Sequence, residues 1–151
     1  MTKFATILKP SCAVVGLDAA DKAGALAAIT DVLAAGVDAV NAQALLPKVL
    51  AREELASTGI GEGIAIPHAV SSSVPDTVMA IARLAKPVDF AAVDGQPVDV
   101  VILLVGPEGS SGVHLQILSK LARLLHDPSF RDAARSAPDG AALAGLLYAR
   151  D

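Results

Sequence analysis

The chain has 151 residues, enough for one domain with a substantial core, and 53% of them are apolar although only 3% are aromatic. A net charge of −4 with no cluster of Lys and Arg argues against nucleic acid as a primary partner. One cysteine, Cys12, excludes an internal disulfide and fits a reducing compartment, with the thiol read as a small buried side chain. No apolar run approaches the roughly 18 to 20 residues that a bilayer crossing takes, and residues 1–10 lack the continuous apolar stretch of a leader. A cytoplasmic protein without membrane insertion is the expectation.

Taken in order, residues 3–10 fit either a short helix or an extended lead-in. Cys12 to Leu17, with paired valines, reads as a strand. Asp21 caps a helix to about Ala35, with Leu26, Ile29 and Leu33 on one face and Gly36 as the stop. Asn41 to Leu55 is helical in pattern with Asn41 as candidate cap, but Pro47 predicts either a kink or a start near that residue. The polar run Ser71–Pro75 is a surface loop, and Val78–Leu84 a buried strand. Residues 86–90 add a short extended piece before a turn at Asp94–Gly95. Val98–Val105 is the most continuous β-branched run and should be a central strand. After a loop over residues 106–112, a helix spans Val113–Leu125 with Ser110 or Ser111 near its cap. Asp127–Pro128 opens another to about Ser136, and Asp139–Gly140 a last one through Tyr148. No linker or repeat divides the chain, so a single α/β (α+β) domain over residues 1–151 is expected, a mixed sheet flanked by helices on both faces.

The chemistry concentrates between Arg52 and His68. There the chain passes Gly59, Gly61 and Gly63 at alternate positions, then Ile64-Ala65-Ile66, Pro67 and His68. Glycine permits positive φ and close backbone approach. Pro67 fixes its own φ and biases Ile66 towards extended geometry, so His68 is held more tightly than on a free loop. Such a histidine suits a nucleophile or a ligand. The run is neither the G-x-G-x-x-G of a dinucleotide fold nor a P-loop. Three histidines spread over some sixty residues carry no metal-ligand spacing, and no G-x-S-x-G occurs.

The stretch Ser57-Thr-Gly-Ile-Gly-Glu-Gly-Ile-Ala-Ile-Pro-His68 resembles the phosphorylation-site signature of type-2 enzyme IIA domains. These belong to the phosphoenolpyruvate-dependent phosphotransferase system (PTS), in its fructose/mannitol class and its nitrogen-regulatory branch. The resemblance extends over nearly the whole chain and implies the same layered architecture. It also implies His68 as the phosphorylated residue, through Nε2, with Arg52 sixteen positions earlier and His114 forty-six positions later in the same site. Arg52 would supply a permanent charge, and the helix start at His114 backbone N–H groups for an anion. No cofactor or metal is implied. The partners would be an HPr-type phosphocarrier, then an enzyme IIB or regulatory target proteins. An apolar, shallow surface around His68 is expected, with Ile64, Ile66 and Ala69 contributing. Read from spacing alone, two alternatives stay open: His114 as a core histidine on the face of Ile117, Leu118 and Leu121, and Arg52 paired with Glu53 or Glu54. His126, on the polar side with Arg123 and Ser119, is assigned no role.

Overall fold

In the computed structural model, which describes residues 2–151, the elements alternate as α1 (Phe4–Ile7), β1 (Leu8–Leu17), α2 (Lys22–Gly36), α3 (Ala42–Leu55), β2 (Gly59–Gly61), β3 (Ile64–Ala65) and β4 (His68–Val70). The chain continues through β5 (Val78–Val88), β6 (Val98–Gly106), α4 (Ser111–Leu125), α5 (Pro128–Ser136) and α6 (Gly140–Tyr148). Residues 3–10 therefore divide into one helical turn and the start of a long strand. The piece at residues 86–88 is the end of β5.

The six strands form one mixed sheet in the order β1-β5-β6-β3-β2, with β4 also paired to β6. β1 runs parallel to β5, and β5 is antiparallel to β6. β3 and β4 both lie parallel to β6, at Val100–Val101 and at Leu104–Gly106. Successive strand residues face opposite sides of a sheet. Burial of every residue from Val100 to Gly106 on β6 therefore requires cover on both sides. The helices α2 and α3 pack together, and α6 packs along β1 with α1 and α5 beside it. Val98–Val105 is the central strand that its β-branched run suggests, with Ile102, Leu103, Leu104 and Val105 fully enclosed.

The caps follow from residue type. Asp21, Asn41, Asp127 and Asp139 each accept a backbone N–H from the first turn of α2, α3, α5 and α6. Pro47 neither starts nor ends its helix; α3 runs from Ala42 through it. Lying beyond the first turn, it removes the helical bond to the carbonyl of Gln43 four residues back. Ser110 occupies the capping position of α4 but makes no side-chain cap. The loop after β4 is less exposed than its polar sequence suggests, since Ser71 and Val74 are buried.

Gly140 sets how closely α6 approaches the sheet. A Cβ there would overlap the carbonyl oxygen of Ala13 on β1, which is backbone and cannot swing aside. Gly140→Ala should therefore destabilise by about 1–3 kcal/mol, the usual cost of overpacking, and lower Tm by several degrees. An unchanged melting curve would mean that α6 is not seated this tightly.

Candidate functional site

The glycine stretch is the connection that carries the chain from the end of α3 to the open edge of β6. Its turn holds three successive residues at positive φ: Gly61 at 99°, Glu62 at 59° and Gly63 at 79°. Glycine adopts this region freely, whereas for Glu62 it costs about 1–2 kcal/mol. The turn is pinned from two sides. Asp94 accepts the Glu62 N–H at 2.9 Å and that of Gln96 at 3.0 Å, and these bonds hold its carboxyl below the usual range. Arg135 forks onto Asp99 at 3.0 and 3.1 Å and also donates to the Glu62 carbonyl. A Cβ on Gly63 would lie 2.5 Å from Arg135 Nη2 and 2.9 Å from Asp99 Oδ1, so a side chain there would have to displace this fork as well as adopt a positive φ.

Beyond the turn, β3 and β4 take successive places along the same side of β6, with Ile66 and Pro67 bridging them. Leu104 donates to the Pro67 carbonyl at 3.0 Å, which sets His68 opposite Leu104. The ring of half-buried His68 is then fixed at both nitrogens. Nδ1 lies 3.1 Å from the Ile66 carbonyl oxygen, and Nε2 lies 3.2 Å from Arg52 Nε. A carbonyl only accepts and a guanidinium only donates. The hydrogen-bond network therefore assigns the neutral tautomer with its proton on Nδ1 and its lone pair on Nε2. Arg52 also donates through Nη1 to the Ala56 carbonyl at 3.2 Å. It makes no ion pair with Glu53 or Glu54, so the alternative of a solvated pair at the helix end is ruled out.

His114, on the first turn of α4, is only 7% exposed. It lines a groove of about 610 Å³ together with Arg52, His68, Val70 and Leu115. Its Nε2 is 3.4 Å from Ser110 Oγ and sits so close over Gly106 that a Cβ there would overlap it. Burial, and to a lesser degree the neighbouring His68 imidazole, lowers the His114 pKa, favouring its neutral form. The buried core position and the place beside His68 are thus both observed.

Glu53 is the residue that sequence reasoning passed over. Its carboxylate is 5% exposed and accepts Thr58 N–H at 2.7 Å, Thr58 Oγ1–H at 2.5 Å and Lys22 Nζ at 2.8 Å. Nothing local in the sequence pairs Glu53 with Lys22, thirty-one positions away.

A second, larger groove of about 770 Å³ runs from His68 between the β2–β3 turn and α4, lined on one side by Ile60 and Val93 and on the other by Leu118, Arg123 and His126. The expected residues contribute, but from beneath: Ile64 and Ile66 line the larger groove and Ala69 the smaller, while being only 2%, 4% and 6% exposed. The exposed apolar side chains around the grooves are Ile60, Val70, Val93 and Leu115. His126, at the end of α4, borders the larger groove with Arg123. Among the described residues, no group of three or more His, Cys, Asp or Glu could hold a metal ion, and no helix is long and apolar enough to cross a membrane.

An imidazole with a directed lone pair, a guanidinium on it and a helix start beside it form a nucleophile in a setting suited to an anion. Comparison with known proteins identifies the family. Residues 6–149 match the family model described as "Phosphoenolpyruvate-dependent sugar phosphotransferase system, EIIA 2". A nitrogen regulatory protein of Pseudomonas aeruginosa is 38% identical over 95% of this chain and 93% of its own length. A fructose-specific EIIABC component of the PTS from Bacillus subtilis is 38% identical over 72% of this chain, which matches 17% of that longer protein. The crystal structure of the nitrogen regulatory protein IIA-Ntr from Neisseria meningitidis superposes with a TM-score of 0.84 at 31% identity, covering 94% of this chain and 97% of that one. With a family match along almost its whole length and a relative matched end to end, the chain belongs to the type-2 EIIA family of the phosphoenolpyruvate-dependent phosphotransferase system.

Proposed function

We propose that this protein is a phosphocarrier in which His68 Nε2 accepts a phosphoryl group from the phosphohistidine of an HPr-type protein. The observation that carries the reading is the two-sided fixing of the His68 ring, by Ile66 O at Nδ1 and Arg52 Nε at Nε2. In the transfer, the lone pair on Nε2 attacks phosphorus and the donor's N–P bond breaks. Its electron pair returns to the donor imidazole. As the His68 ring gains positive character, its Nδ1–H bond to the Ile66 carbonyl strengthens. Arg52 shifts from Nε2 to the phosphoryl oxygens, where a planar set of donors neutralises the charge of the transition state. Neutral His114 donates an N–H to the same oxygens from the first turn of α4.

The apolar rim of Ile60, Val70, Val93 and Leu115 supports face-to-face docking of successive protein partners. The relative matched along nearly its full length is a nitrogen regulatory protein. That favours an output by protein contact, in which the added charge on His68 changes which partner the rim accepts. Onward transfer to an enzyme IIB is the sugar-transport alternative, supported by the fructose-specific relative.

With phosphoenolpyruvate and the two upstream proteins, wild type should take up one acid-labile phosphoryl group, and His68→Ala none. Full labelling of His68→Ala would overturn the assignment. Arg52→Ala should slow transfer by about a hundredfold, the usual loss for one transition-state donor. Because Arg52 makes no ion pair, thermal stability should change little. A variant that melts early yet transfers normally would contradict the role.

His114 gives a pH test. Its pKa lies below the ordinary 6.5, through burial first and coupling to the neighbouring His68 second, so the folded protein binds fewer protons there than the unfolded chain. Its contribution to stability is therefore complete above about pH 6.5 and declines as pH falls from there through the lowered folded value. Melting curves across this window should fall for wild type and flatten in His114→Gln. The same variant should accept phosphate yet pass it on slowly. Normal onward transfer per folded molecule would leave His114 a structural residue.

A further inference from the structure

Glu53 is buried next to Arg52 in sequence, yet the two side chains form no ion pair with each other. A buried ion pair is weak evidence for stability, because its desolvation cost is large and apolar replacements are often tolerated. What Glu53 does hold is one end of a closed circuit of hydrogen bonds. Its carboxylate fixes Thr58 through both the backbone N–H and the hydroxyl. The Thr58 carbonyl accepts Ile66 N–H at 3.0 Å. The Ile66 carbonyl accepts His68 Nδ1–H, His68 Nε2 accepts Arg52 Nε–H, and Arg52 Nη1 donates to Ala56 O at the end of the same helix. Lys22 ties the circuit to α2, donating to Glu53 and to the Phe90 carbonyl, which also accepts Ser57 Oγ–H at 2.6 Å.

We propose that Glu53 is a positioning residue for phosphoryl transfer: by clamping Thr58 it holds Ile66 in register and so keeps the His68 proton on Nδ1 and the lone pair on Nε2. The inference rests on the reading of His68 as the acceptor. Without the clamp, the last turn of α3 and the 56–58 segment part, Ile66 O drifts from the ring, and both tautomers of His68 become populated. Glutamine can replace the carboxylate in this scheme. Its oxygen accepts from Thr58 N–H and Lys22, and its amide donates to the Thr58 hydroxyl, which can accept.

Three variants and two readouts test this. ¹⁵N shifts of the His68 ring report the tautomer and do not depend on any phosphoryl donor. Single-turnover transfer from the phosphorylated upstream carrier reports the chemistry. Glu53→Leu should give averaged His68 nitrogen shifts and a roughly ten- to hundredfold slower maximal rate, the loss expected for small misplacement of a reacting group. The concentration of carrier giving half-maximal rate should not change, because the rim is intact. Glu53→Gln should restore both readouts. If Glu53→Leu does not fold, Thr58→Val replaces it: it removes one of the two clamping bonds without changing shape, and should move both readouts in the same direction by less. A folded Glu53→Leu or Thr58→Val protein with wild-type shifts and wild-type rate overturns the proposal. So does a slowed variant with unchanged His68 shifts, since its effect then does not run through the ring. Failure of the acceptor assignment would show separately, as labelling of His68→Ala.

Discussion

An imidazole offers two nearly equivalent nitrogens, and a histidine that transfers a group through one of them must keep them different. The Ile66 carbonyl imposes that difference, 3.1 Å from Nδ1 and two residues before His68 in the chain. Such a short loop between ring and carbonyl is possible because Pro67 stands between them with its φ already fixed. Ile66 is in turn held by Thr58 and by its own burial in the core, and Leu104 of β6 holds Pro67. Most of the architecture around the glycine stretch bears on this one distinction between the two nitrogens. The three positive-φ residues let the chain reverse between β2 and β3. The two short strands β3 and β4 then dock one after the other on β6. Their pairing brings a sequence of twelve residues to a single orientation of one ring.

Much of this was legible before any coordinates. The β-branched run at Val98–Val105, the four side-chain caps and the glycine-proline-histidine motif are local signals, and local signals survive folding because they depend on neighbours in the chain. Arg52 and His114 were reachable only by resemblance, since no periodicity relates residues sixteen or forty-six positions apart. Glu53 was not legible at all. From the sequence it is one of two acids at a helix end, where a solvated face is the ordinary reading. Its burial depends on where Lys22 and Thr58 lie once α2 and α3 pack together, which is a tertiary fact. The low exposure of Ile64, Ile66 and Ala69, which line the grooves from beneath, has a similar origin. Proximity to His68 in sequence suggests a shared surface, but strand residues alternate faces and this edge is covered on both, so neighbours in the chain go inside.

The positive-φ turn shows how a strained element is kept in place. Glu62 adopts a conformation that glycine would adopt more readily, and the cost is of the same size as one or two good hydrogen bonds. Asp94 binds its N–H and Arg135 its carbonyl, so both backbone groups of the strained peptide are satisfied by charged side chains. Charged partners make stronger bonds than neutral ones. The result leaves the Glu62 side chain exposed on the border of the larger groove, where its charge faces whatever docks there.

Under the proposed reading, the arrangement of polarity around the site answers two demands. A reacting nitrogen needs donors, and a surface that exchanges protein partners is served by modest contacts rather than a large, fully buried interface. Four separate apolar side chains around two grooves meet that need better than one continuous patch would. Each contributes contact only when a partner of complementary shape arrives, while the charges nearest the grooves are mixed in sign: Lys48, Arg52 and Arg123 against Glu62 and Asp94. Mixed charge gives orientation and partner choice more than affinity. The positive groups lie towards α3 and α4 and the negative ones at and beside the β2–β3 turn, so the border is electrostatically asymmetric about His68. In the proposed function, selectivity and chemistry would therefore draw on the same few side chains: Arg52 borders both grooves and also donates to His68 Nε2.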